Sequence, residues 1–169
     1  MRDRVRPANT THDSPKLQHS LAMMEMSLAG SLDQPRVLVA DDDLLTSQML
    51  ATIAGKDGYR VVSVQDGREA YRMLKTDADF RVAIFNMAMP NLKGLDIIHY
   101  MKTEKRLMRI PVVVVSGEKG LKLISDSFAA GATMFLPKPF TSDQLQRTLQ
   151  IALTSQTSKR SDVRVKQAT

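Results

Sequence analysis

The chain has 169 residues, enough for one domain with short extensions, and its 43% hydrophobic and 25% charged content is that of an ordinary globular protein. It has no cysteine, which excludes disulfides, thiol catalysis and cysteine-based metal sites. The net charge of +6 is shared between the stretch 36–153 and the tail after it, with 1–35 neutral. A basic tail can touch nucleic acid, but a solvated, disordered end is expected, and a nucleic-acid partner is not.

No apolar run approaches the length needed to cross a membrane, and the start of the chain lacks the pattern of a secretion signal. A cytoplasmic protein is expected. Residues 1–35 are rich in Ser, Thr, Pro, Asn and Arg and read as a mostly disordered extension. Within it, Ser14 and Pro15 make a helix start, Leu17, Leu21, Met24 and Leu28 recur at helical spacing, and Gly30 can stop the helix. An amphipathic helix is therefore predicted over 15–29. Three readings of it stay open: a docking or dimerisation segment, a marginal helix on its own domain, and a translation start at Met23, Met24 or Met26.

From Arg36 the pattern becomes regular. Val37-Leu38-Val39-Ala40 is an apolar run of strand length, followed by Asp41-Asp42-Asp43. A helix is predicted over 44–54 with Leu45, Met49, Leu50 and Ile53 on one side, then a β-branched strand over 60–64. Asp66 can cap a helix running to Leu74. A third strand is predicted over 82–85, then a loop with Pro90 and Gly94, then a helix marked by Leu95, Ile98 and Met101.

Pro111 and the four valines after it make the clearest strand, apolar throughout as a strand buried on both faces would be. A helix over 119–130 stops at Gly131, a fifth strand covers 133–136, and Thr141 or Ser142 caps a last helix carrying Leu145, Leu149 and Leu153. From Thr154 the chain reads as a basic disordered tail, 154–169. Alternating strands and helices call for a parallel sheet covered on both sides.

In such sheets ligands bind beyond the carboxyl ends of the strands. Asp41-Asp42-Asp43, Asn86, Ser116 and Lys138 all fall at strand ends, and their shared end makes them a candidate site. The run 37–43, the stretch Asn86-x-x-Met89-Pro90-x-x-x-Gly94, Val114-Val115-Ser116-Gly117, Gly131-Ala132 and Lys138-Pro139-Phe140 together resemble the receiver domain of two-component response regulators, over 36–153.

The resemblance implies a flavodoxin-like α/β fold: three layers, (βα)5, with a five-stranded parallel sheet of order 2-1-3-4-5. It implies that Asp41 and Asp42, with the backbone carbonyl of Ala88, hold Mg²⁺. Ser116 and Lys138 would contact a phosphoryl group, with a cis bond before Pro139, and Phe135 would be the switch aromatic. Asn86 stands where the family carries its phosphoaccepting aspartate, and Lys93 where it often has an acidic residue. A neutral amide is a poor nucleophile and a weaker metal ligand than a carboxylate. Mg²⁺ is therefore expected to bind weakly, and no organic cofactor is expected.

The expected function is that of a single-domain receiver, not an enzyme and not phosphorylatable at Asn86. It would act through contacts with a sensor histidine kinase or phosphotransfer protein and a downstream target, by way of 119–153. A homodimer through the same face is a further expectation. The alternative is an ordinary phosphoaccepting receiver carrying Asp→Asn at 86. A haloacid dehalogenase-like phosphatase, suggested by Asp41-x-Asp43, is distant because its further acidic motif is missing. A flavin carrier would want a hydroxyl-rich phosphate loop where the three aspartates stand.

Overall fold

A computed structural model describes residues 15–32 and 34–165. Two compact units divide the chain, one ending at Gln34 and one starting at Pro35. The first contains helix α1, Pro15–Leu32. Gly30, expected to end this helix, lies inside it. A glycine costs a helix about 1 kcal/mol relative to alanine, which weakens it without terminating it. Residues 1–14, expected to be disordered, lie outside the described residues.

The second unit alternates strand and helix. Its strands are β1 (Arg36–Ala40), β2 (Arg60–Val64), β3 (Val82–Asn86), β4 (Val112–Ser116) and β5 (Met134–Pro137). They form one parallel sheet of order β2-β1-β3-β4-β5, as the resemblance implied. The helices are α2 (Leu44–Lys56), α3 (Gly67–Thr76), α4 (Gly94–Thr103), α5 (Leu121–Ala130) and α6 (Ser142–Val165).

Strand side chains alternate between faces, and each face of the sheet has its own core. Val37, Val39, Ile84, Val113 and Val115 pack with Leu50, Ile53, Leu145 and Leu149 of α2 and α6. Leu38, Ala40, Phe85, Val112 and Val114 pack with Leu74, Ile97, Ile98 and Met101 of α3 and α4. Leu123 and Ala130 of α5, themselves partly buried, pack against the second core. The sequence therefore yields strands apolar on both faces, which is what a sheet covered on both sides requires.

Three expectations change. In α2, Leu50 and Ile53 are buried, but Leu45 and Met49 are exposed. The buried stripe is Thr46, Ser47, Leu50, Ile53 and Ala54, with the Thr46 hydroxyl bonded to the N-cap Asp43. α5 starts at Leu121 rather than Lys119, with Gly120 as its extended N-cap. Finally, α6 continues to Val165 where a disordered tail was expected. Neither glycine nor proline occurs between Ser142 and Val165, so nothing in the backbone stops the helix where its apolar spacing runs out. Residues 166–169 lie outside the described residues. Among the described residues, no helix is long and apolar enough to cross a membrane.

Candidate functional site

The strand register brings the polar residues together. Ala40 pairs with Phe85, so Asp41 and Asn86 lie side by side one residue further on. Asn86 pairs with Val115 and Ser116 with Pro137, which puts Ser116 and Lys138 on the other flank. Asn86 and Ser116 are the last residues of their strands rather than the first of the following loops.

Asp41 is 1% exposed and would be costly there as an unpaired anion. It is paired on both oxygens. Oδ2 accepts from Lys138 Nζ at 2.8 Å, and Oδ1 accepts from Asp43 N at 3.0 Å and Asn86 Nδ2 at 3.1 Å. Asn86 Nδ2 also donates to Asp42 Oδ1 at 2.9 Å, so one amide nitrogen bridges both carboxylates. Its Oδ1 accepts from Ala88 N at 3.4 Å. The Lys138-Pro139 bond is cis.

The hydroxyl of Ser116 accepts from Glu118 N at 3.0 Å, while its carbonyl accepts from Lys138 N at 2.7 Å. The serine thus ties the start of the β4–α5 loop to the residue that reaches Asp41. Phe135 on β5 is half-buried and packs with the α3–α4 core rather than on the polar cluster.

Asp43 belongs elsewhere. It caps α2, accepting from Leu45 N at 3.1 Å and from the Thr46 hydroxyl at 2.6 Å. The Thr46 hydroxyl, more than the backbone N–H groups and the Lys138 charge, holds its carboxyl below the usual aspartate value. An Asp41-x-Asp43 phosphatase pair would need both carboxylates at the site. Asp41 and Asp42 remain as the acidic candidates for a cation. Among the described residues no three His, Cys, Asp or Glu side chains are grouped to hold a metal.

Sequence reasoning missed two features. A cleft of about 340 Å³ opens beside Ala88, with Met87, Met89, Leu95 and Leu123 as apolar lining and Lys93 and Glu118 as its charged residues. Pattern alone cannot show this, because its residues come from the β3–α4 loop, α4, the β4–α5 loop and α5. The second is the backing of the β3–α4 loop. A Cβ on Gly67 would lie 1.9 Å from the Leu92 carbonyl oxygen, and one on Gly94 would lie 2.8 Å from that of Asn86. Both glycines let backbone approach backbone behind the site.

Comparison with known proteins gives a consistent family. Residues 37–150 match the family model described as the response regulator receiver domain. Chemotaxis protein CheY1 of Helicobacter pylori is 29% identical over 119 residues, covering 70% of this chain and 96% of that protein. Two-component response regulator ORR3 of Oryza sativa subsp. indica is 30% identical over 114 residues, covering 68% of this chain and 87% of its own length. Among solved structures, the chemotaxis response regulator CheY4 of Vibrio cholerae superimposes with a TM-score of 0.67 at 29% identity, over 71% of this chain and 99% of that one.

Proposed function

The chain belongs to the response regulator receiver domain family of two-component signalling, and on that premise we propose that it signals through protein contacts without accepting phosphate at position 86. The observation that carries this reading is the Asn86 amide, whose nitrogen donates to Asp41 and Asp42 at once. An aspartate attacks phosphorus as an anion. The amide has no anionic oxygen and its lone pairs are delocalised, so it is a poor nucleophile under the same conditions.

Within this reading Asp41 and Asp42, with the Ala88 carbonyl, are the cation ligands, Ser116 and Lys138 are the phosphoryl contacts, and Phe135 is the switch aromatic. Magnesium often uses one or two carboxylates and keeps several waters, a minimum that Asp41 and Asp42 meet. A bound Mg²⁺ would neutralise charge at this end of the sheet. The Asn86 NH₂ group points at both carboxylates, so the amide must turn and give up two hydrogen bonds before its oxygen can face a cation. Weak binding follows.

Partners would be those of the family, a histidine kinase or phosphotransfer protein and a downstream target. The proposed contact region is 119–153, where Leu121, Phe128 and Ile151 are exposed apolar residues. A homodimer through the same region is part of the proposal.

A second reading has its own support. Asp41, Asp42, Ser116 and Lys138 remain gathered around position 86, as a phosphoaccepting site requires. A phosphoaccepting receiver carrying Asp→Asn at 86 is the alternative, and the gene sequence at codon 86 separates the two. The proposal itself is tested by incubating the protein with a small acyl phosphate and Mg²⁺ and mapping acid-labile phosphate by mass spectrometry. No label on the 86–90 peptide is expected. Stoichiometric label there overturns the proposal.

A further inference from the structure

Helix α1 carries two unlike stripes. At about 100° per residue, Leu17, Leu21, Met24 and Leu28 fall on one side. His19, Met23 and Met26, spaced by four and then three, fall on the side directly opposite. An amphipathic helix places charged and polar residues opposite its leucines. Here that position holds an imidazole and two thioethers, and all three side chains are exposed, Met23 at 57% and Met26 at 72%. Leu17, Leu21 and Met24 on the other side are exposed as well, so packing accounts for neither stripe. Helix formation leaves the methionines unexplained too, since leucine serves a helix as well as methionine does.

What methionine adds is a soft, polarisable sulfur. Soft thioether ligands select copper(I), while hard cations seek oxygen and structural zinc seeks thiolate, imidazole or carboxylate. Met23 lies one turn from each of the other two residues, and the whole set spans a rise of about 10 Å, which a long Met side chain and an imidazole can close around one ion. Three neutral donors also suit a monovalent ion that accepts low coordination. We propose that His19, Met23 and Met26 on this face of α1 bind copper(I). The chain has no cysteine, so no thiolate competes for the ion. This proposal does not rest on the reading of Asn86.

The test uses the full chain under anaerobic ascorbate, which keeps copper as copper(I), in competition with a chromophoric copper(I) chelator. The protein should withdraw one copper(I) per chain. Met23→Leu, Met26→Leu and His19→Gln should each weaken that binding by about ten-fold or more. Met108→Leu, an exposed methionine outside α1, should leave it unchanged. Circular dichroism on each variant should show unaltered helix content. The proposal is overturned if the parent withdraws no copper(I), or if Met23→Leu and Met26→Leu bind it as tightly as the parent.

Discussion

Burial decides what each charged residue is worth. Lys138 and Asp41 pair with side chains 21% and 1% exposed, whereas Lys122 and Asp126 pair with 88% and 44% exposed. Removing one partner of a buried pair strands the other charge, typically at about 3–5 kcal/mol. Asp41 keeps its bonds from Asp43 N and Asn86, so Lys138→Ala should fall toward the lower end of that range in chemical denaturation. Lys122→Ala should leave the denaturation midpoint unchanged, because exposed pairs contribute little. The identity and strand-end place of Asp41, Asn86, Ser116 and Lys138 were legible in the sequence. The bridging of two carboxylates by one amide nitrogen was not, since it depends on side-chain direction across two strands. Nor was the separation of Asp43 from its neighbours legible, since all three aspartates look alike in the chain.

Helices show the same division between what local chemistry writes and what packing decides. Asp66 was expected to cap α3, and its Oδ1 accepts from Glu69 N at 2.7 Å. Asp66→Ala should therefore cost about 1 kcal/mol, measured as a shift in denaturation midpoint. Gly67 beside it gave no such signal. Its substitution by alanine would drive a Cβ into the Leu92 carbonyl, and the loop behind Asn86 must shift to admit it. Gly67→Ala should cost about 1–3 kcal/mol, as overpacking does, although alanine is the better helix former. The apolar spacing of α2 pointed to Leu45 and Met49 as core, yet the sheet is met by the neighbouring stripe with Thr46 and Ser47. Periodicity supplies a helix and its apolar residues; which of two adjacent stripes faces the sheet is decided by packing against β1 and β2 and not by spacing along the chain. The length of α6 escaped for a related reason, since its last part carries no apolar stripe to read.

The second unit is built on the two-sided burial of its three central strands, β1, β3 and β4, which is why its topology could be read before its contacts. Among the described residues, both core clusters are built from Val37 onwards. A chain lacking residues 1–30 should therefore unfold cooperatively, with a melting temperature close to that of the full chain; loss of cooperativity would contradict this. Acid stability has a definite sign. Burial raises the Asp77 pKa, but the Asp79 N–H and the Arg36 guanidinium at 2.6 Å outweigh it and hold the carboxyl below its ordinary value. The stabilisation is then present above the ordinary aspartate value, about pH 4, and is lost as pH falls through the lower folded value. Melting curves in this range should decline less steeply for Asp77→Asn than for the parent.

Position 86 joins these scales, because one amide both relaxes the carboxylate pair and removes the nucleophile. Asn86→Asp exchanges two hydrogen bonds for a third carboxylate, so the variant should be less stable without metal and should gain more from millimolar Mg²⁺ than the parent does. The most direct measurement is acid-labile phosphate at position 86 in the parent and in Asn86→Asp, side by side with an acyl phosphate and Mg²⁺. The variant should take up phosphate at Asp-substituted position 86 and the parent should take up none there. Phosphate on residue 86 of the parent would contradict the account.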